Sequence, residues 1–225
     1  MRFMDARPDG RAIVYAHIQA DPLVVRAAEL LAPATPVQRL LARAAMNGES
    51  TDPAPWRAMF PTLFGPAAPA VGEPVRDRSE AILTTALAVA ERGEQTRSQV
   101  RGAIVEAVTE RLLAERTEPV RRERRILFDG RPAEIHPYDV TVESEAGPAA
   151  YDCKWGARGI NADVLYQLDD ARTHAEEEDT QLEVALVVFD ADRSCAVRLA
   201  AQSAPHVATT ILTLETIDRL AAGPA

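Results

Sequence analysis

The sequence predicts an α/β protein, with a mixed β-sheet core flanked by helices and a mostly helical N-terminal region over residues 1–95. Three observations predict it. Thr96 to Glu115 repeats its apolar residues at helical spacing. Residues 126 to 155 break into short β-prone segments separated by turn residues. Leu182 to Phe189 is an apolar run behind an amphipathic segment, as expected of a strand buried on both faces. Helix, strands, helix and buried strand make the core of a mixed domain over residues 96–225. With 47% hydrophobic and 26% charged residues the chain can bury such a core, which excludes global disorder.

Arg11 to Ile18 fits either a short strand or a helix start. Asp21 and Pro22 form an N-cap and first-turn pair before Leu23 to Leu31. Pro36 to Ala45 is a second helix with Leu40, Leu41 and Ala44 on one side. Asn47 to Pro74, rich in Pro, Gly and Ala, predicts loop with one short helix near Trp56 to Phe60. Glu80 to Arg92 is a helix stopped by Gly93. No repeat and no recognisable chemistry occurs in this half.

In the second region, Ile104, Val105, Val108, Leu112 and Leu113 line the apolar side of the Thr96 to Glu115 helix. A basic run follows at Arg121 to Arg125. Ile126 to Phe128 and Arg131 to Ile135 flank Asp129-Gly130, a hairpin signal. Tyr138 to Glu143 and Ala149 to Trp155 are two more strands around a turn at residues 145–148. Asn161 to Ala175 is a helix with Val164, Leu165, Leu168 and Ala171 inward. Cys195 to Leu199 and Val207 to Leu212 are candidate strands, and Leu214 to Ala222 a closing helix.

The formal net charge is −9 and argues against a protein that coats nucleic acid with its whole surface, though not against a local basic groove beside an acidic metal site. Two cysteines, Cys153 and Cys195, make neither a disulfide framework nor a four-cysteine zinc site. No apolar run reaches the roughly 20 residues of a membrane span. Met1 to Asp5 carries an acid and no apolar run follows it, so no secretory signal is expected and a cytoplasmic location is. Of the 25 lysines and arginines only Lys154 is lysine. The alanine and arginine richness suits a GC-rich genome, so the surviving lysine is either chance or the mark of a place for a compact ammonium rather than a planar guanidinium.

The chemistry converges on residues 138 to 155. By strand alternation Asp139, Thr141 and Glu143 share one face and Tyr138, Val140 and Val142 the other. On the next strand Ala150, Asp152 and Lys154 share a face, with Tyr151, Cys153 and Trp155 opposite. A two-residue loop at Glu145-Ala146 sets Asp139 directly across from Asp152. Two carboxylates so close repel unless a divalent cation lies between them. Lys154 projects from the same face, where an ammonium can position a water or stabilise phosphate charge. Glu106 is a carboxylate on the apolar side of the preceding helix, favoured over Glu110 one turn on. The plain alternative is a solvent-exposed Asp152–Lys154 pair worth about 0–1 kcal/mol.

These residues resemble the PD-(D/E)xK nuclease superfamily, the restriction-endonuclease-like fold. The resemblance covers Thr96 to Leu199 and rests on Gly102-x-x-x-Glu106, then Asp139, then Asp152-Cys153-Lys154. It departs from the family pattern in two places: the proline, Pro137, stands two residues before Asp139, and the second acid is Asp rather than the commoner Glu.

The resemblance implies catalytic roles for Glu106, Asp139, Asp152 and Lys154. It implies metal ligation by Asp139, Asp152, Glu106 and the Cys153 carbonyl, and a polar helix residue at Gln167. The cofactor would be Mg²⁺, or Mn²⁺, since hard oxygen ligands disfavour zinc. The expected reaction is hydrolysis of nucleic-acid phosphodiesters, DNA before RNA, in restriction, anti-phage defence or repair. Arg121, Arg122 and Arg158 are candidates for phosphate contacts, although Glu118 and Glu123 interleave the basic run as they would on a solvated face. A homodimer and a targeting partner protein are expected, with no membrane. The alternatives are an inactive module of the same fold that binds a protein or nucleic acid, and an acidic inhibitor of a basic partner.

Overall fold

The computed structural model describes residues 1–6, 10–65, 73–116, 119–132, 136–144, 147–202 and 209–222. They form two compact units, Arg11–Val108 and Met1–Gly10 with Thr109–Ala225. The sequence reading set a boundary at residue 95; the division between these units lies further on, inside a helix.

The helical unit begins inside α1 (Gly10–Gln19), so the ambiguous Arg11 to Ile18 segment is helix. In α2 (Pro22–Leu31) the Asp21 carboxylate accepts the Leu23 N–H at 2.8 Å, as its N-cap position predicts. A capping box of Thr35 and Gln38 starts α3 (Pro36–Asn47). Arg39 is fully buried and donates to the Leu31 carbonyl at 3.0 Å and the Ala32 carbonyl at 2.7 Å, satisfying the carbonyl end of α2. The described residues of the proline-rich stretch hold two short helices where one was expected: α4 (Pro53–Met59) and α5 (Pro61–Phe64), each opening on a proline. Helix α6 (Glu73–Ala90) starts seven residues before the expected Glu80, because Pro74 at a first-turn position is no obstacle. Residues 66–72 lie outside the described part. Helix α7 (Glu94–Ala114) matches its predicted span closely and its last turns belong to the sheet unit.

The sheet unit is a mixed sheet with the order β1-β2-β4-β5-β6-β7, β3 pairing with β2. The strands are β1 (Arg2–Asp5), β2 (Val120–Phe128), β3 (Arg131–Pro132), β4 (Tyr138–Ser144), β5 (Gly147–Lys154), β6 (Glu183–Val188) and β7 (Thr210–Leu212). Pairing is antiparallel from β1 to β5 and parallel from β5 to β7. The parallel step needs a crossover, supplied by α8 (Ala162–Glu177). Leu165, Leu168, Ala171 and Ala175 of α8 close a core with Ala150, Leu186 and Val188. Asp129 and Gly130 have φ of 47° and 77°, and join Phe128 to Arg131 in the two-residue turn that the Asp-Gly signal predicts. Residues 133–135 of the expected second strand lie outside the described part.

Four expectations for this unit are corrected. The basic run is part of β2, which begins at Val120 rather than Ile126. Cys195 to Leu199 is not a strand but part of α9 (Asp192–Ala200), since Cys195 and Leu199, four apart, bury one side of a helix. The last strand is Thr210–Leu212, with residues 203–208 outside the described part. The closing helix shrinks to α10 (Arg219–Ala222), because the Thr216 hydroxyl accepts the Thr213 N–H at 2.9 Å and holds the preceding residues in turns.

Candidate active site

The β4–β5 hairpin carries the residues on which the chemistry was expected to converge. Its register is Val140↔Tyr151, Thr141↔Ala150, Val142↔Ala149 and Glu143↔Pro148, as the two-residue loop predicts; Glu145 and Ala146 themselves lie outside the described part. The recorded ladder ends at Val140↔Tyr151. At the next backbone position the Asp139 carboxylate takes over, accepting the Cys153 N–H through Oδ2 at 2.6 Å. A side chain thus does what the Tyr138 carbonyl would do in a continuing ladder. Meanwhile β5 stays paired to β6 through Lys154↔Val188, and the Phe189 N–H donates to the Lys154 carbonyl at 2.8 Å. Asp152, Cys153 and Lys154 therefore stand where β5 keeps one neighbour strand and exchanges the other for the Asp139 carboxylate.

The pleat is disturbed at the same place. Register pairs Arg122↔Val140 and Arg124↔Tyr138 bracket Asp139 on its β2 side, and between those arginines Glu123 has φ of 53°. Tyr138 joins the α8-side core with Ala150 and Leu186, and its hydroxyl donates to the Gln167 carbonyl at 3.3 Å. Tyr151 and Cys153 face the end of α7: Arg116 donates to the Tyr151 hydroxyl at 3.1 Å, and the Cys153 thiol lies 3.6 Å from the Thr109 hydroxyl. The expected grouping of Tyr138 with Tyr151 and Cys153 is thereby corrected. Strict alternation fails opposite Glu123, whose left-handed backbone interrupts the regular pleat of β2.

Asp152 is buried and its Oδ1 receives the Lys154 ammonium at 2.7 Å. Burial acts to lower the Lys154 pKa, but the Asp152 and Asp139 carboxylates outweigh it and hold the ammonium above the ordinary lysine value. The field of both acids thus reaches Lys154. A residue's N–H and C=O leave one edge of a strand together, so the Cys153 carbonyl points to the edge where Asp139 lies.

Glu106 is buried in the helical unit, and its carboxylate accepts from the Tyr15 hydroxyl and, at 2.8 Å, from Gln19 Nε2. A Cβ at Gly102 would lie 3.3 Å from the Tyr15 hydroxyl, so the glycine one turn before Glu106 makes room for that partner. Glu110 pairs with Arg122. Gln167 is buried and donates to the His136 carbonyl at 3.4 Å, fastening the segment that leads into β4. Arg121 and Arg158 are exposed.

Asp190 was missed by sequence reasoning. It is buried at the end of β6, where Oδ2 accepts the Ala157 N–H at 3.0 Å and Oδ1 the Ala191 N–H at 2.9 Å. The signal was available as an acid closing an apolar strand beside the Lys154 strand. Tyr15 and Gln19 were also missed, because no spacing in the sequence links them to Glu106.

The hairpin offers oxygen donors alone, two carboxylates and a strand carbonyl, which suits a hard cation such as Mg²⁺ rather than zinc. Among the described residues no group of three or more His, Cys, Asp and Glu gathers as a metal cage would require. No helix among the described residues is long and apolar enough to cross a membrane. Comparisons of the chain with protein-family models, curated proteins and solved structures give no match.

Proposed function

We propose that the chain is a Mg²⁺-dependent nuclease on a restriction-endonuclease-like core, hydrolysing phosphodiesters of nucleic acid, DNA before RNA. The observation that carries this reading is the end of the β4–β5 ladder, where the Asp139 carboxylate takes the Cys153 N–H and Lys154 pairs with Asp152 on a split pair of strands. Asp139, Asp152 and the Cys153 carbonyl would hold the cation. Bound there, Mg²⁺ supplies Lewis acidity and a more acidic water. The Cys153 N–H keeps the Asp139 carboxylate turned to β5. Lys154 donates from its ammonium to the attacking water or to a non-bridging phosphate oxygen. Exposed Arg121 and Arg158 are the proposed phosphate contacts, whereas Arg122 is engaged by Glu110. The setting would be restriction, defence or repair, with a homodimer and a targeting partner as further expectations.

Purified protein should cleave supercoiled plasmid or single-stranded DNA with Mg²⁺ and stop on chelation. Asp152→Ala and Lys154→Ala should each abolish cleavage, and full activity in either refutes the assignment. The competing reading, a fold that binds without cutting, draws on the Lys154 ammonium already compensating the charge of Asp152. It predicts no calorimetric signal with Mn²⁺ and no cleavage of any nucleic acid.

A further inference from the structure

Beyond the two carboxylates, the chain builds a device that acts on Lys154 itself. Just past β5 lies a single 3₁₀ turn, Ala157–Gly159. The turn is fastened along its length. Asp190 accepts the Ala157 N–H at 3.0 Å, and the Gly159 N–H donates to the Gly156 carbonyl at 2.8 Å. Arg198 Nε donates to the Ile160 carbonyl at 2.9 Å. Asn161 Nδ2 donates to the Gly159 carbonyl at 3.3 Å, while Asn161 Oδ1 caps α8 by accepting the Val164 N–H at 3.0 Å. A segment held by β6, α8 and α9 has little freedom to give way.

That rigid turn lies directly against the lysine stem. A Cβ added at Gly159 would lie 2.7 Å from Lys154 Cβ, 2.7 Å from Cγ and 2.9 Å from Cδ. Those atoms are the root of the side chain rather than its mobile end, so the lysine would have to leave its present rotamer. Displacing the stem moves the ammonium off Asp152, its partner at 2.7 Å.

We infer that Gly159, clamped by Asp190, is the positioning residue for Lys154, its bare backbone setting the path of the lysine stem so that the ammonium meets Asp152. The catalytic part of this inference rests on the nuclease reading; the positioning part does not. Asp190 acts one step further out, because it holds the turn that carries Gly159.

The single lysine makes the test direct. Protein labelled with ¹⁵N-lysine carries one side-chain ammonium resonance, and Asp152→Asn reports where that resonance lies when the charged partner is gone. Gly159→Ala should shift the resonance toward the Asp152→Asn position and speed its hydrogen exchange, with the circular dichroism of the wild type. Gly93→Ala, where an added Cβ meets nothing within 4 Å, should leave it in place. Asp190→Asn, which keeps one carbonyl acceptor, serves if Gly159→Ala does not fold and should produce a smaller shift in the same direction. An unmoved resonance in folded Gly159→Ala, or in Asp190→Asn when that variant must stand in, overturns the inference.

Cleavage assays on the same proteins separate the two claims. Gly159→Ala should cut DNA about a hundredfold more slowly at saturating substrate, the order expected for a misplaced catalytic group. Inactive wild type with a shifted Gly159→Ala resonance defeats the nuclease reading and leaves the positioning role standing. Equal cleavage by wild type and Gly159→Ala, with an unmoved resonance, does the reverse.

Discussion

The Asp139 carboxylate accepts the Cys153 N–H at 2.6 Å, tying the start of β4 to the residue between Asp152 and Lys154. One hydrogen bond therefore ends a ladder and fixes the direction of an acid. Its two roles can be separated. Asp139→Asn keeps an oxygen acceptor and removes the charge, so stability should stay within about 1 kcal/mol of wild type while cleavage is lost. Asp139→Ala leaves the N–H without that acceptor and should cost about 1–3 kcal/mol as well. Urea unfolding and a plasmid assay on both variants measure this; equal stability of Asn and Ala variants would contradict it.

Lys154→Arg is the informative change at the ammonium. The guanidinium keeps the charge, but it is larger and planar and its stem must still pass Gly159. Cleavage should fall by about 10²–10³, the order seen when one oxyanion donor is lost. Near-wild-type cutting by Lys154→Arg would mean that only a positive charge is needed.

The raised Lys154 pKa carries a pH dependence of known sign. Its contribution to stability is complete below the ordinary lysine value of about 10.4 and fades as pH climbs through the higher folded-state value. The stability difference between wild type and Lys154→Met should therefore be constant from pH 7 to about 9.5 and shrink above about 10.5. Paired urea titrations across that range measure it, and a difference already gone at pH 9 would reverse the sign.

Tyr15→Phe tests the buried Glu106 carboxylate. Removing the hydroxyl takes away one of its donors and keeps the Gln19 amide among the others. The expected loss is about 1.5–3 kcal/mol, the range for a hydrogen bond to a charged group. Thermal unfolding checks it; no change would show that the hydroxyl is dispensable to Glu106.

Gly147→Ala probes the hairpin. Gly147 has φ of 117°, and an added Cβ would lie 3.3 Å from the Gln181 carbonyl oxygen. Backbone strain of this kind costs of order 1–3 kcal/mol. The melting temperature should drop accordingly, whereas the exposed Gly93→Ala change should leave it nearly untouched.

The sequence by itself determined much of this architecture. Local signals sufficed for the Asp21-Pro22 start of α2, the Asp129-Gly130 turn, the β4–β5 register and the apolar β6, since each depends on neighbours a few residues apart. The period of two also set Lys154 beside Asp152, where its ammonium reaches the carboxylate at 2.7 Å. Only the tertiary structure decided what surrounds them. The end of the ladder at Asp139, the break in alternation opposite Glu123, the Tyr15–Glu106 contact and the Asp190-held turn against Lys154 join residues far apart in the chain. Such contacts leave no periodic trace, because they arise where strands part and side chains replace the backbone as hydrogen-bond partners.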